Sequence, residues 1–268
     1  MMRSLYSGVT GLRNHQTRMD VIGNNISNVN TVGYKSSRVV FQDIFSQTIS
    51  PATGASTASG GTNPKQVGLG STLASIDVLN TESATQYTGN TLDLAISGDG
   101  YFVVNSNGAE AYTRAGNFYT DENNYLVTAS GAFVQGFTTG TSGAIGNIAI
   151  DPTYTGVTIG ETGQIYANDT SGTKVLVGQI ALATFANTNA LEKVGSNTYR
   201  SSENSGAATY TAPGTGSGKL SSGVLEMSNV DLAAEFTDMI VTQRGFQANS
   251  RIITTTDSML EELVNLKR

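Results

Sequence analysis

The chain of 268 residues has no cysteine, no tryptophan, one histidine and four prolines. Without cysteine there are no disulfides and no thiolate-held metal. With His15 alone, multi-histidine metal sites and catalysis built on several histidines fall away. Charge is scarce too. Asp, Glu, Lys and Arg make 13% of the residues, about half the usual roughly 25%. Fifteen basic residues stand against 21 acidic ones, a net charge of −6. Phosphate backbones call for basic clusters, so nucleic acid is not an expected partner. No apolar run approaches the roughly 18 residues of a membrane-spanning helix, so no membrane insertion is expected. The start, Met1-Met2-Arg3-Ser4-Leu5-Tyr6, lacks the apolar stretch of a secretory signal. Any export is therefore expected by another route, with no cleaved signal peptide.

What the chain does have is a seven-residue apolar column at each end. Leu5, Leu12, Met19 and Ile26 form the first; Leu232, Met239, Phe246, Ile253 and Leu260 form the second. The columns beside them are mixed: Val9, Gln16 and Gly23 at one end, Phe236, Gln243, Ser250, Asp257 and Val264 at the other. Such columns mark helices that pack along other helices. The first helix is expected over 4–29, with Ser4 as N-cap. The last is expected from Asn229 or Asp231 to about Leu266. Gly8, Gly11, Gly23 and Gly245 fall inside these helices, where each costs about 1 kcal/mol relative to Ala. The two helices could pair as an antiparallel hairpin, but the longer one would keep uncovered length. Polar groups at the seam also suit a specified, larger bundle, so packing between subunits is the favoured expectation.

Between the helices the character changes. Residues 31–72 read as an extended connecting segment, rich in Gly and Ser and loosely ordered over 51–72. Over 73–222 the apolar period is two. Ala74, Ile76 and Val78 alternate with polar residues, as do Leu92, Leu94 and Ile96. Ser97-Gly98-Asp99-Gly100 is a tight turn into the apolar run Tyr101–Val104. Further strands are expected at 117–120, 125–128, 132–138, 157–160, 164–168 and 174–186. Turn residues every 8–15 positions suggest an antiparallel sandwich or barrel. The fold class is thus α+β (mixed). Terminal helices over 1–30 and 225–268 pair in a coiled-coil-like domain, and a central antiparallel β domain lies between them.

Three features hint at chemistry, and none has the residues for it. Pro213 to Lys219 looks like a phosphate-binding loop, but Pro213 occupies the place of its first Gly and Leu220 that of its Ser/Thr. Asp93 and Asp99 are too few for a calcium site, which takes six to eight oxygens. The eleven tyrosines are not interleaved with Lys or Arg, so no stacking platform for nucleic acid is visible. No nucleophile, base and oxyanion donors come together. An enzyme is not expected, nor any catalytic residue, metal or cofactor.

The longest motifs resemble flagellar rod and hook proteins. Leu5 to Leu12 and Asp20 to Lys35 are similar to that family's N-terminal signature, with Asn24, Asn25, Asn28, Asn30, Thr31 and Gly33. Ser228 to Leu232 and Met239 to Ser250, with Asn229, Gln243 and Arg244, are similar to its C-terminal signature. Thr91 to Phe102, Tyr112 to Phe118 and Gly195 to Tyr199 match its core. Within the family the likeness is closest to short hook members of Gram-positive type, with distal rod members as the alternative. Only about 40 residues separate Phe137 from Gly178, so a further outer β domain is absent or vestigial. A non-flagellar surface-binding module is a third possibility, but it would need a ligand patch that the sequence does not show.

The resemblance implies a structural protein that polymerises with itself into an open helical tube of the bacterial flagellum. Helices line the channel and β domains form the wall. The hook would lie outside the cell at the basal body and pass torque from rod to filament. It implies contacts with rod, hook cap and hook–filament junction proteins, and passage through the flagellar type III export apparatus. Leu5, Leu12, Met19, Ile26, Leu232, Phe236, Met239, Phe246, Ile253 and Leu260 are the expected self-assembly surface.

Overall fold

The computed structural model describes residues 2–54, 60–106, 108–138, 145–169 and 172–266. Its backbone contacts divide the chain into two units. One holds 1–27, 37–78 and 231–268; the other holds 28–36 and 79–230.

The first unit contains α1 (Met2–Ser27), β1 (Ser37–Asp43), β2 (Ser46–Ser50), β3 (Lys65–Gly68), β4 (Ser71–Val78) and α2 (Leu232–Asn265). α1 begins at Met2, so Ser4, expected as the cap, lies inside it. α2 starts where Asp231 caps it: the carboxylate accepts from the backbone N of Ala233 at 2.9 Å and Ala234 at 3.4 Å. Its 34 residues span about 51 Å at 1.5 Å per residue. The stretch expected as a connecting segment carries two antiparallel ribbons. β1 pairs with β4, Ser37 opposite Val78, and β2 pairs with β3, Ser46 opposite Gly68. β4 was readable in part, from the alternation of Ala74, Ile76 and Val78; β1, β2 and β3 were not, because most of their residues are exposed or half-exposed. A ribbon without a buried face needs no clean alternation.

The second unit is antiparallel throughout. Its strands are β5 (Thr85–Tyr87), β6 (Leu94–Ser97), β7 (Tyr101–Ser106), β8 (Ala109–Thr113), β9 (Phe118–Thr120), β10 (Leu126–Thr128), β11 (Phe133–Phe137), β12 (Ile145–Asn147), β13 (Thr155–Ile159), β14 (Gln164–Asn168), β15 (Lys174–Ile180), β16 (Leu182–Thr184), β17 (Glu192–Gly195), β18 (Thr198–Arg200), β19 (Thr209–Thr211), β20 (Lys219–Ser222) and β21 (Val224–Glu226). The main sheet runs β13-β14-β15-β11-β7-β8-β18-β17, with β9, β10, β12, β16 and β19 attached off that path. β20 pairs with β6, and β21 with β5.

β7 is the spine of this unit. Alternate side chains of a strand point to opposite faces, and here both faces are buried. Phe102 and Val104 enter a core with Leu94, Ile96, Phe118 and Leu182. Tyr101 and Val103 enter a second core with Tyr112, Leu191 and Tyr199. That explains why 101–104 reads as an unbroken apolar run. The turn before it is formed by Gly98 at φ +106° and Gly100 at φ +139°. The glycine-rich segment after Pro213 docks on that turn, where the Gly218 amide donates to the Asp99 carbonyl at 2.7 Å. It runs into β20, not into a helix, so it lacks the geometry of a phosphate loop.

Candidate self-assembly surface

α1 and α2 lie antiparallel. Asn25 faces Glu235, Arg18 faces Asp238, and Gly8 faces Ile253. Of the two apolar columns, only Ile253 enters their seam. The seam runs through Gly8, Gly11, His15, Arg18, Ile22 and Asn25 on α1, at spacings of three and four. On α2 it runs through Glu235, Asp238, Thr242, Gly245, Asn249, Ile253 and Thr256. Thr242 and Thr256 are buried, and each hydroxyl donates back to the carbonyl four residues earlier at 2.7 Å. That satisfies the hydroxyl inside its own helix and leaves the methyl free to pack.

The glycines that look like weak points in the sequence are the closest points of this seam. A methyl at Gly245 would sit 2.6 Å from His15 Cε1 and Nε2. One at Gly11 would sit 2.6 Å from Asn249 Nδ2. Gly23 differs, with nothing within 4 Å. His15 stands edge-on to Phe41, 6.4 Å between ring centroids. Burial in the seam, and secondarily the charge of Arg18, lower its pKa below the ordinary 6.5. Across from Asn25, which donates to it at 2.8 Å, the Glu235 carboxyl is raised by burial.

The expected columns flank the seam. At about 100° per residue, Leu5, Leu12, Met19 and Ile26 fall on one side of it. Leu232, Met239 and Phe246 fall on the same side of the antiparallel pair. Leu5, Leu12, Met19, Ile26, Met239, Ile253 and Leu260 are half-buried, whereas Leu232, Phe236 and Phe246 are exposed. Ile253 sits at the edge of the seam, against Gly8. Gly8 lies opposite Ile253, so the shorter α1 ends level with about residue 259. Leu260 therefore lies past its end. The opposite flank carries a second strip that the columns missed: Val241, Ile252, Met259 and Leu263, each 43–55% exposed. Its signal was in the sequence, since Ile252, Met259 and Leu266 also step by seven.

The signature residues divide into two groups. Asn25 is buried, and its amide accepts from the Ser37 backbone N at 3.0 Å and donates to the Ser37 carbonyl at 2.8 Å. Thr31 donates to Asn28 Oδ1 at 3.1 Å in the turn after α1. Gly33 adopts φ +68°, and a Cβ there would meet the Ala115 backbone N at 2.6 Å. Ser228 offers its carbonyl to Ser83 Oγ at 2.8 Å. Asn229 bonds both Ser36 and Leu79. These residues order the backbone where segments meet. Asn24, Asn30, Gln243 and Arg244 are exposed, and Arg244 reaches Gln247 at 3.3 Å. Among the described residues no cluster of His, Asp and Glu has the arrangement of a metal site. No described helix is long and apolar enough to cross a membrane.

Known proteins match along the same stretches. Residues 5–35 match the family described as flagella basal body rod protein. Residues 95–167 match the flagellar hook protein FlgE/F/G D1 domain, and 221–266 the C-terminal region of flagellar basal body rod FlgEFG proteins. The flagellar basal-body rod protein FlgG of Bacillus subtilis is 55% identical over 270 residues, covering all of both chains. FlgG of Caulobacter vibrioides is 38% identical over 99% of this chain and all of the relative. The flagellar hook protein FlgE of Borreliella burgdorferi is 32% identical, covering all of both chains, in an alignment of 441 positions. That relative therefore carries long stretches with no counterpart in the 268 residues here. End-to-end matches of this strength, together with a pair of terminal helices and an antiparallel β unit, place this chain in the flagellar hook/rod axial protein family, whose members are structural proteins of the flagellum.

Proposed function

We propose that this chain polymerises with itself into an open tubular segment of the flagellar axis, through the apolar strips that flank its helix seam. The observation that carries this reading is the position of those strips. α1 and α2 satisfy each other through small and polar residues, yet leave Leu232, Phe236 and Phe246 exposed on one side and Val241, Ile252 and Met259 on the other. Exposed apolar area costs roughly 25 cal/mol per Å², and contact with copies of the same pair removes that cost. Two different strips favour heterologous contacts, which extend as a helical polymer and do not close as a dimer. Leu5, Leu12, Met19 and Ile26 line the first strip; Ile253 and Leu260 continue it along α2.

The segment we assign is the hook. The Ser228–Leu232 wording and the Gly98-Asp99-Gly100 turn support it, and hook-named relatives match the chain from end to end. On this reading the subunit passes through the flagellar export apparatus. It then meets rod, cap and junction proteins outside the cell. The distal rod is the second reading, favoured by the 55% identity to a rod-named relative of matching length. Electron microscopy of the purified polymer tests both. Curved or readily bent tubes support the hook, uniformly straight and rigid ones the rod. Absence of any polymer at high subunit concentration would overturn the proposal.

A further inference from the structure

The chain passes between its two units at residues 27–28, 36–37, 78–79 and 230–231. Inside the β unit, the segments next to the last three of these passages are tied together by two side chains. Glu226, just before α2, is 1% exposed. Its carboxylate accepts from Lys35 Nζ at 2.7 Å, from Arg114 Nε at 2.7 Å and from the Ser83 backbone N at 3.3 Å. Its own carbonyl accepts from the Gly33 amide at 2.8 Å. Lys35 Nζ also donates to the Thr81 carbonyl at 2.7 Å. Arg114 turns its two terminal nitrogens to the carbonyls of Gly98, Gly100 and Ile96, which fixes the turn before β7.

Three residues on, Asn229 repeats the arrangement. Its Oδ1 accepts from the Ser36 backbone N at 2.7 Å. Its Nδ2 donates to the Leu79 carbonyl at 2.8 Å and to Thr81 Oγ1 at 3.0 Å. The Leu79 amide in turn donates to the Ser36 carbonyl at 2.8 Å. Each of these two side chains thus binds the chain leaving α1, the chain leaving β4 and the chain entering α2. A buried ion pair is weak evidence of stability, because desolvation offsets attraction; its attested value is fixing one geometry.

We infer that Glu226 and Asn229 form a clamp that fixes where the three segments leave the β unit, so that force carried along the chain between the units meets a stiff junction. Glu226 and Asn229 are positioning residues here, and Lys35 and Arg114 hold Glu226 in place. The mechanical part rests on the polymer reading above; the clamp itself is a property of the single subunit.

The test has two arms. In the full-length monomer, hydrogen exchange is compared between wild type, Asn229→Ala and Glu226→Gln. The expected result for Asn229→Ala is about tenfold faster exchange at Gly33, Leu79 and Met227, the scale of one or two lost hydrogen bonds. Val104 and Val134, deep in the sheet, should be unchanged. Equal acceleration in the sheet, or no change at the three reporters, would overturn the clamp. Glu226→Gln leaves Lys35 and Arg114 buried without an anion; if it does not fold, Asn229→Ala carries the arm. In the second arm, polymers of Asn229→Ala are imaged beside wild type. They should assemble but bend more, with a shorter persistence length, and unchanged stiffness would overturn the mechanical role. Failure of the wild type to polymerise would remove the mechanical role with the polymer reading, while the exchange arm still decides the clamp.

Discussion

Replacing glycine by alanine in a helix normally stabilises it by about 0.8–1.0 kcal/mol. The helix pair should obey this rule at one glycine and break it at another. At Gly23 a new methyl meets nothing within 4 Å, so Gly23→Ala should gain the full propensity term. At Gly245 the methyl would lie 2.6 Å from two atoms of the His15 ring. The ring is wedged between α2 and Phe41, so relief requires a shift of the ring or of the helices. Overpacking of this kind costs about 1–3 kcal/mol. Set against the same propensity gain, the net loss is about 0–2 kcal/mol. The two variants should therefore differ by roughly 1–3 kcal/mol, with Gly23→Ala the more stable. Urea unfolding of the monomer, followed by circular dichroism at the helix band, reads this as a shift in midpoint at constant slope. A double-mutant cycle identifies the cause. In a His15→Ala background the clash is gone, and Gly245→Ala should then be neutral or stabilising. Equal stabilisation by both alanines in the wild-type background would refute the seam as the place where the helices approach most closely.

Phe246→Asp should abolish polymerisation while weakening the helix pair only modestly and sparing the β unit, because Phe246 is already 37% exposed in the subunit and a carboxylate there becomes most costly once a neighbour covers it; sedimentation beside a thermal melt checks both halves. The His15 pKa is lowered by burial and Arg18, so as pH falls below 6.5 the unfolded chain takes up the proton before the folded pair does. Stability should therefore drop over that window, down to the lowered folded value, and His15→Gln should flatten the drop in a pH series of urea midpoints. Glu235 acts oppositely. Burial raises its folded pKa above 4.5, against the opposing bond from Asn25, so stability should recover as pH falls through that raised value, and Glu235→Gln should remove the recovery. Gly33→Ala combines a backbone at φ +68° with a Cβ 2.6 Å from the Ala115 backbone N; it should cost at least about 2 kcal/mol, and a thermal melt unchanged from wild type would show that the turn after α1 adapts.

The sequence by itself determined where the helices lie, that much of 73–222 is β, and where apolar surface gathers. A seven-residue step survives in any helix, whatever lies opposite. Alternation survives in any strand with one buried face. The Gly98–Gly100 turn needs φ values that favour glycine, so it too was readable, as was Asp231, whose short carboxylate suits a helix start. Only the tertiary structure decided what the columns and glycines mean. A glycine announces a missing side chain; whether that is a weakness, as at Gly23, or room for a partner, as at Gly245, depends on His15 more than 200 residues away along the chain. The same separation hid the clamp. Glu226 meets Arg114 and Lys35 across 112 and 191 positions, and nothing local to any of the three foretells the meeting. β1, β2 and β3 were hidden for another reason: strands that pair without burying a face need no period in the sequence, and their register exists only in the folded chain.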